Sequence, residues 1–152
     1  SFEEHYLALL LKYFELKDQP QQPLPEYFEN SENREVFTVW REASDLDSLR
    51  AKLDPAVRDH LDHLLELAEK KEIPADQIER RFSDFLLRLR EEYLRNLEKR
   101  RGAALALEAE LGGSAAALAK LEQGREISSQ LSEVFTQKRQ NTKEVNDGSP
   151  GQ

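Results

Sequence analysis

The chain has 152 residues, of which 34% are charged and 38% hydrophobic; it carries a net charge of −8 and contains no cysteine. This length suits one domain, or one domain with a small appendage. The lack of cysteine excludes disulfides, thiolate zinc sites and a cysteine nucleophile. A cytoplasmic location fits this lack of cysteine, and we expect one. No apolar run approaches 18 residues, so we expect no membrane-spanning helix.

The acidic charge is concentrated in one half of the chain. Residues 1–79 hold 9 Lys and Arg against 19 Asp and Glu, whereas residues 80–152 hold 13 against 11. An acidic surface repels phosphate backbones, so we expect no direct binding of nucleic acid. The chain also lacks methionine and begins with Ser-Phe-Glu-Glu, which predicts that it is a piece of a longer protein.

The first elements follow from apolar spacing and proline. Residues 2–17 carry a wide apolar stripe at helical spacing, and the prolines of "DQPQQPLP" then break the helix. In "LPEYFENSENREVFTVW", residues 24–40, a short turn places Tyr27 and Phe28 in the core. Asn30 or Ser31 is predicted to cap a second helix. The buried face of that helix is predicted to consist of Val36, Phe37 and Trp40.

Further helices follow at clear start signals. Ser44-Asp45-Leu46-Asp47 approximates a capping box, and Asp54-Pro55 predicts the start of another helix. A long helix begins after Ile73-Pro74, with a bend or joint predicted at Gly102 because glycine is a poor helix former. Gly112-Gly113 is predicted to stop this helix, and Ser114 to cap the last one.

The predicted fold is therefore all-α. No segment alternates with a period of two. We expect a compact helical bundle over residues 1–97, which includes most of a long helix, then a C-terminal helical hairpin over 98–139 and a disordered tail over 140–152. The apolar residues of the hairpin are too sparse for a globular core. Such a hairpin is expected to project from the bundle and dock a partner protein.

Catalytic chemistry has little support in the sequence. His60 and His63, with Asp59, form the one cluster that resembles a metal site, but a third or fourth ligand is missing. The helical carboxylates and the basic run between Arg80 and Arg101 are typical of solvated, ion-paired helix surfaces. There is no phosphate-binding glycine loop and no nucleophile elbow. We expect this chain to be no enzyme and to need no cofactor.

The order of elements resembles the C-terminal domain of bacterial DnaG-type DNA primase. The similarity lies in a leading helix of the type "EEHYLALLLKYFEL", the aromatic turn "LPEYF", the segment "ENSENREVFTVW" and the closing hairpin. It covers about residues 2–139, and "EYFENSENREVF" carries most of its specificity. The alanine-rich "AALALEAELGGSAAALAKL" departs from the charged hairpin typical of the family.

This resemblance implies a domain that docks onto the replicative hexameric helicase and joins primer synthesis to fork unwinding. The zinc module and the polymerase core of such primases lie upstream, so the chain itself is expected to synthesise nothing and to be monomeric on its own. The hairpin is expected to make much of the helicase contact. The partner-binding candidates on its last helix are Leu118, Leu121, Arg125, Ile127, Leu131, Val134 and Phe135, with Lys120, Glu122 and Lys138 at the rim. Some of the apolar candidates are expected to face the other arm, so only a subset can meet the partner.

Three other hypotheses stay open. The first is that the chain is the N-terminal bundle of the replicative helicase itself, which the primase domain resembles. A generic helical adaptor is a second alternative, and it predicts self-association through residues 98–139. A metal-dependent enzyme built on His60 and His63 is the third.

Overall fold

The computed structural model describes the backbone of residues 1–111 and 114–148, with the side chains of residues 1–111 and 118–142. In these residues the chain forms six α-helices and no strand. The helices are α1 (Phe2–Lys12), α2 (Ser31–Glu42), α3 (Leu46–Lys52), α4 (Arg58–Glu69), α5 (Ile78–Leu111) and α6 (Ser114–Gly148). The prediction of an all-α fold is confirmed.

Two compact units divide the chain, Ser1–Leu89 and Arg90–Gln152, and α5 contributes to both. The predicted boundary at residues 97/98 therefore differs from the observed one. Pairing between the two helices begins at an earlier residue of α5 than expected. The guanidinium of Arg90 lies 3.5 Å from the carboxylate of Glu133, and Glu91 contacts Lys138. No helix in the described part of the chain is long and apolar enough to cross a membrane.

The core of the first unit is built on α1. Tyr6, Leu7 and Leu10 of this helix are fully buried, and α1 packs mainly against α4 and α2. The ring of Tyr6 stacks on Phe82 of α5, with the ring centroids 5.8 Å apart. A helix buried on several sides explains the unusually wide apolar stripe of residues 2–17. However, α1 ends at Lys12, and a 3₁₀ turn over Phe14–Asp18 replaces its predicted last turn.

The aromatic segment that follows is architectural. Phe28 and Phe37 stack at 4.9 Å, and Trp40 lies 6.0 Å from Phe37. All three side chains are buried, while Tyr27 is only partly buried. Asn30 caps α2 as predicted, since its side chain accepts a hydrogen bond from the amide of Asn33. Phe28 at the start of the segment therefore packs in the same core as Phe37 and Trp40 near its end.

The start of α3 differs from the predicted capping box. Asp45 is the N-cap, and its carboxylate accepts a 2.7 Å hydrogen bond from the amide of Ser48. Asp54 caps the short turn that leads into α4, in agreement with the Asp-Pro signal. In both places a carboxylate satisfies a free amide at the positive end of a helix.

The long helix α5 does not bend or end at Gly102. It runs unbroken from Ile78 to Leu111, because good helix formers flank the glycine and offset its cost of about 1 kcal/mol. The tail predicted to be disordered, residues 140–152, is helical as far as Gly148. The predicted stop at Gly112-Gly113, the capping side chain of Ser114 and residues 149–152 lie outside the described residues.

Candidate functional site

The second unit is an antiparallel pair of helices with a heptad-spaced seam. Buried and half-buried residues on both arms recur at alternating steps of four and three, the spacing of a coiled coil. On α5 these residues are Glu91, Leu94, Glu98, Arg101, Leu105 and Glu108. On α6 they are Lys120, Gly124, Ile127, Leu131, Val134 and Lys138. The seam is therefore unusually rich in charge.

One end of the seam is held by a carboxylate between two cations. The ammonium of Lys138 contacts Glu91, and the guanidinium of Arg95 donates to the same carboxylate at 3.0 and 3.1 Å. Burial by itself would raise the pKa of Glu91. The hydrogen bonds from Lys138 and Arg95 outweigh it, so the pKa of this carboxyl is below its ordinary value.

Further along the seam, Arg101 joins the two arms. Its Nε donates to Glu98 at 3.0 Å, and its Nη1 donates to the backbone carbonyl of Lys120 on α6 at 3.0 Å. The guanidinium lies over Gly124, where a Cβ would come within 2.4 Å of the Arg101 Cζ. The hydrogen bond from Arg101 lowers the pKa of Glu98. The guanidinium thus fills the space that a side chain at position 124 of α6 would occupy.

Apolar exposure is concentrated on this unit. Among the described residues, six large hydrophobic side chains are exposed, and five of them belong to α5 or α6 beyond residue 90. These five are Leu107, Leu111, Leu118, Leu121 and Phe135. Arg95 lies 5.3 Å over the ring of Phe135, which nevertheless stays 40% exposed. Leu107 and Leu111 lie one turn apart on α5, as do Leu118 and Leu121 on α6, and neighbouring exposed apolar side chains of this kind are typical of protein-contact surfaces.

The structure divides the ten predicted partner-binding residues into two groups. Leu118, Leu121, Glu122, Arg125 and Phe135 are exposed. The other five lie in the seam. Ile127 and Val134 are buried, whereas Lys120, Leu131 and Lys138 are half-buried.

Ile127 and Val134 are therefore the apolar candidates that face the other arm of the paired hairpin. The heptad spacing turns both side chains toward α5. Lys138, predicted at the rim of the surface, is instead bound to Glu91 across the seam. Sequence reasoning also missed the exposed leucines of α5, Leu107 and Leu111, because it placed the whole surface on the last helix.

His60 and His63 of the first unit form contacts between helices. His60 Nε2 lies 2.5 Å from the Asn33 side-chain oxygen, and His63 Nε2 lies 3.3 Å from Glu4. Asn33 is buried and its amide donates to Glu3 of α1 at 3.1 Å. Among the described residues, no group of three or more His, Cys, Asp or Glu side chains is arranged to hold a metal ion.

Comparison of the chain with protein-family models, with curated proteins and with solved structures gives no match.

We expect pairing of the hairpin to weaken in acid. The pKa values of Glu91 and Glu98 are lowered in the folded chain from the ordinary 4.5. A carboxyl group whose pKa is lower in the folded chain than in the unfolded chain stabilises the fold at pH values above its pKa in the unfolded chain. This stabilisation is lost as the pH falls through the pKa of the folded chain. The protection of the α6 amides, which is their exchange relative to the intrinsic rate at the same pH, should therefore fall below about pH 4.5.

The variant Glu91→Gln is the control for this acid effect. It removes one titrating group, so α6 exchange should be faster at pH 7 and less sensitive to acid than in the wild type. Equal acid sensitivity of the two proteins would show that Glu91 does not link the pH to pairing.

Proposed function

We propose that this chain is a non-catalytic docking domain that attaches a DNA primase to the replicative hexameric helicase and so couples primer synthesis to fork unwinding. The observation that carries the proposal is the concentration of exposed apolar side chains on the paired hairpin. The resemblance of residues 2–139 to the primase C-terminal domain supplies the identity of the partner. A domain of this kind works by binding alone.

The exposed members of the predicted set form the proposed contact. Leu121 and Phe135 would serve as apolar anchors, since a few large side chains usually dominate the energy of an interface. Glu122 and Arg125 are exposed on the same helix and would add charge pairing at the rim. The seam residues would act indirectly, by holding α5 and α6 in one rigid arrangement that loses little entropy on binding.

The test is a calorimetric titration of the whole chain into the replicative helicase of the source organism. We expect saturable binding by the wild type, and weakening by about tenfold or more in Leu121→Glu, because a charge would replace an apolar anchor. Leu24→Glu is the matched control. Leu24 lies in the first unit and is 45% exposed, as is Leu121, so this variant should bind like the wild type.

Three outcomes would count against the proposal. Absence of binding at several salt concentrations would remove the helicase as partner. Equal weakening by the two variants would remove the hairpin as the contact. Concentration-dependent self-association in sedimentation, abolished by Leu121→Glu, would instead favour a generic helical adaptor.

A further inference from the structure

We propose that Arg101, Glu98 and Gly124 form a register latch, a contact that allows α5 and α6 to pair in only one longitudinal alignment. The inference concerns the conformation of the hairpin and does not depend on the helicase as partner. It rests on the fit between one large side chain of α5 and one missing side chain of α6.

The fit is steric as well as polar. Gly124 is buried in the middle of a helix, where alanine would ordinarily be preferred. A Cβ at this position would lie 2.4 Å from both Cζ and Nε of Arg101. Gly102, which is also inside a helix, has nothing within 4 Å of the corresponding position. Of these two helical glycines, only Gly124 therefore has a neighbouring side chain in the space that a Cβ would occupy.

Three donor contacts hold the guanidinium in that space. Two reach the carboxylate of Glu98, one turn earlier on the same helix, and one reaches the Lys120 carbonyl on the opposite arm. The Arg101 side chain is 13% exposed, so these partners largely replace water. If α6 moved by one heptad, the guanidinium would meet a side chain in the place of the glycine.

The apolar residues near the turn specify the register weakly. The sequences near the turn, "AALALEAEL" and "SAAALAKL", repeat small and leucine side chains that can pair in several alignments. A polar group inside a helical seam is known to fix register at some cost in stability. The latch thus decides which residues of α5 lie opposite Ile127 and the other seam residues of α6.

The chain suits a distance measurement because it contains no cysteine. Spin labels would be attached to the exposed positions of Ala103→Cys and Gln123→Cys in the full chain, and pulsed electron paramagnetic resonance would give the distribution of distances between them. We expect one narrow distribution in the labelled parent chain. In Gly124→Ala it should broaden or gain a second maximum, since a slip of one heptad moves an arm by roughly 10 Å.

Two further variants identify the cause. Arg101→Ala should broaden the distribution in the same way, and adding Gly124→Ala to it should change nothing more, because the latch is already absent. Gly102→Ala, the matched glycine control, should keep the narrow distribution of the parent. Circular dichroism of each variant would report whether the hairpin stays helical.

Each result decides for or against the latch. A narrow, unchanged distribution in Gly124→Ala or in Arg101→Ala would overturn it. If Gly124→Ala loses helicity, the double variant with Arg101→Ala and Gly124→Ala tests whether the clash with Arg101 is the cause. Recovery of helicity with Arg101 removed supports the steric fit, and continued loss overturns it.

Discussion

Replacing Trp40 with alanine should destabilise the first unit by about 3–5 kcal/mol, the range measured for removal of a buried Trp or Phe side chain. Trp40 is 1% exposed and lies against Phe14 and Phe37, with ring centroids 6.1 and 6.0 Å away. Its indole nitrogen donates to the carbonyl of Leu10 at 3.0 Å, which ties α2 to α1. The variant loses both the packing and this connection.

Urea unfolding followed by circular dichroism would measure the effect, since the variant no longer contains the only tryptophan of the chain. Leu24→Ala is the control, because its half-exposed side chain should change the free energy of unfolding by less than about 0.5 kcal/mol. A loss below about 1 kcal/mol in Trp40→Ala would contradict the position of Trp40 at the centre of the core.

Replacing Val134 with aspartate should separate the arms of the hairpin, at a cost of about 3 kcal/mol or more. Val134 has no exposed surface and lies in the seam between Leu131 and Lys138. A carboxylate there would lose its hydration, and Lys138 already neutralises Glu91. Rapid amide exchange throughout α6 is the expected observation.

Ser132→Asp is the matched control for that charge. Ser132 is exposed on the same helix, two residues away, so the same carboxylate there remains hydrated. Its amide exchange should equal that of the wild type. Similar exchange in Val134→Asp and Ser132→Asp would contradict burial of Val134 in the paired hairpin.

The sequence allowed the fold to be predicted better than the site. Local signals suffice for Asn30 at the start of α2 and for the Asp-Pro start before α4, because a cap depends on neighbours within one turn. Gly102 shows the limit of local reasoning. The helix propensities of all residues in a helix add up, so one glycine among good helix formers does not end the helix.

The candidate site needed information from both arms. The apolar residues of α6 were identified, but the sequence of α6 alone does not tell whether Ile127 or Leu121 points toward the other helix. The α5 seam is carried largely by Glu91, Glu98 and Arg101, which look like ordinary solvated charges in the sequence. Their heptad spacing was the signal that could have located the seam.

Hydrogen–deuterium exchange of the whole chain, alone and with the replicative helicase, tests the central claim most directly because it locates the contact. The account predicts that added helicase slows exchange in the segment of α6 from Leu118 to Phe135, with the peptides around Leu24 unchanged. Protection confined to the first unit, or no change at saturating helicase, would contradict a docking surface on the hairpin.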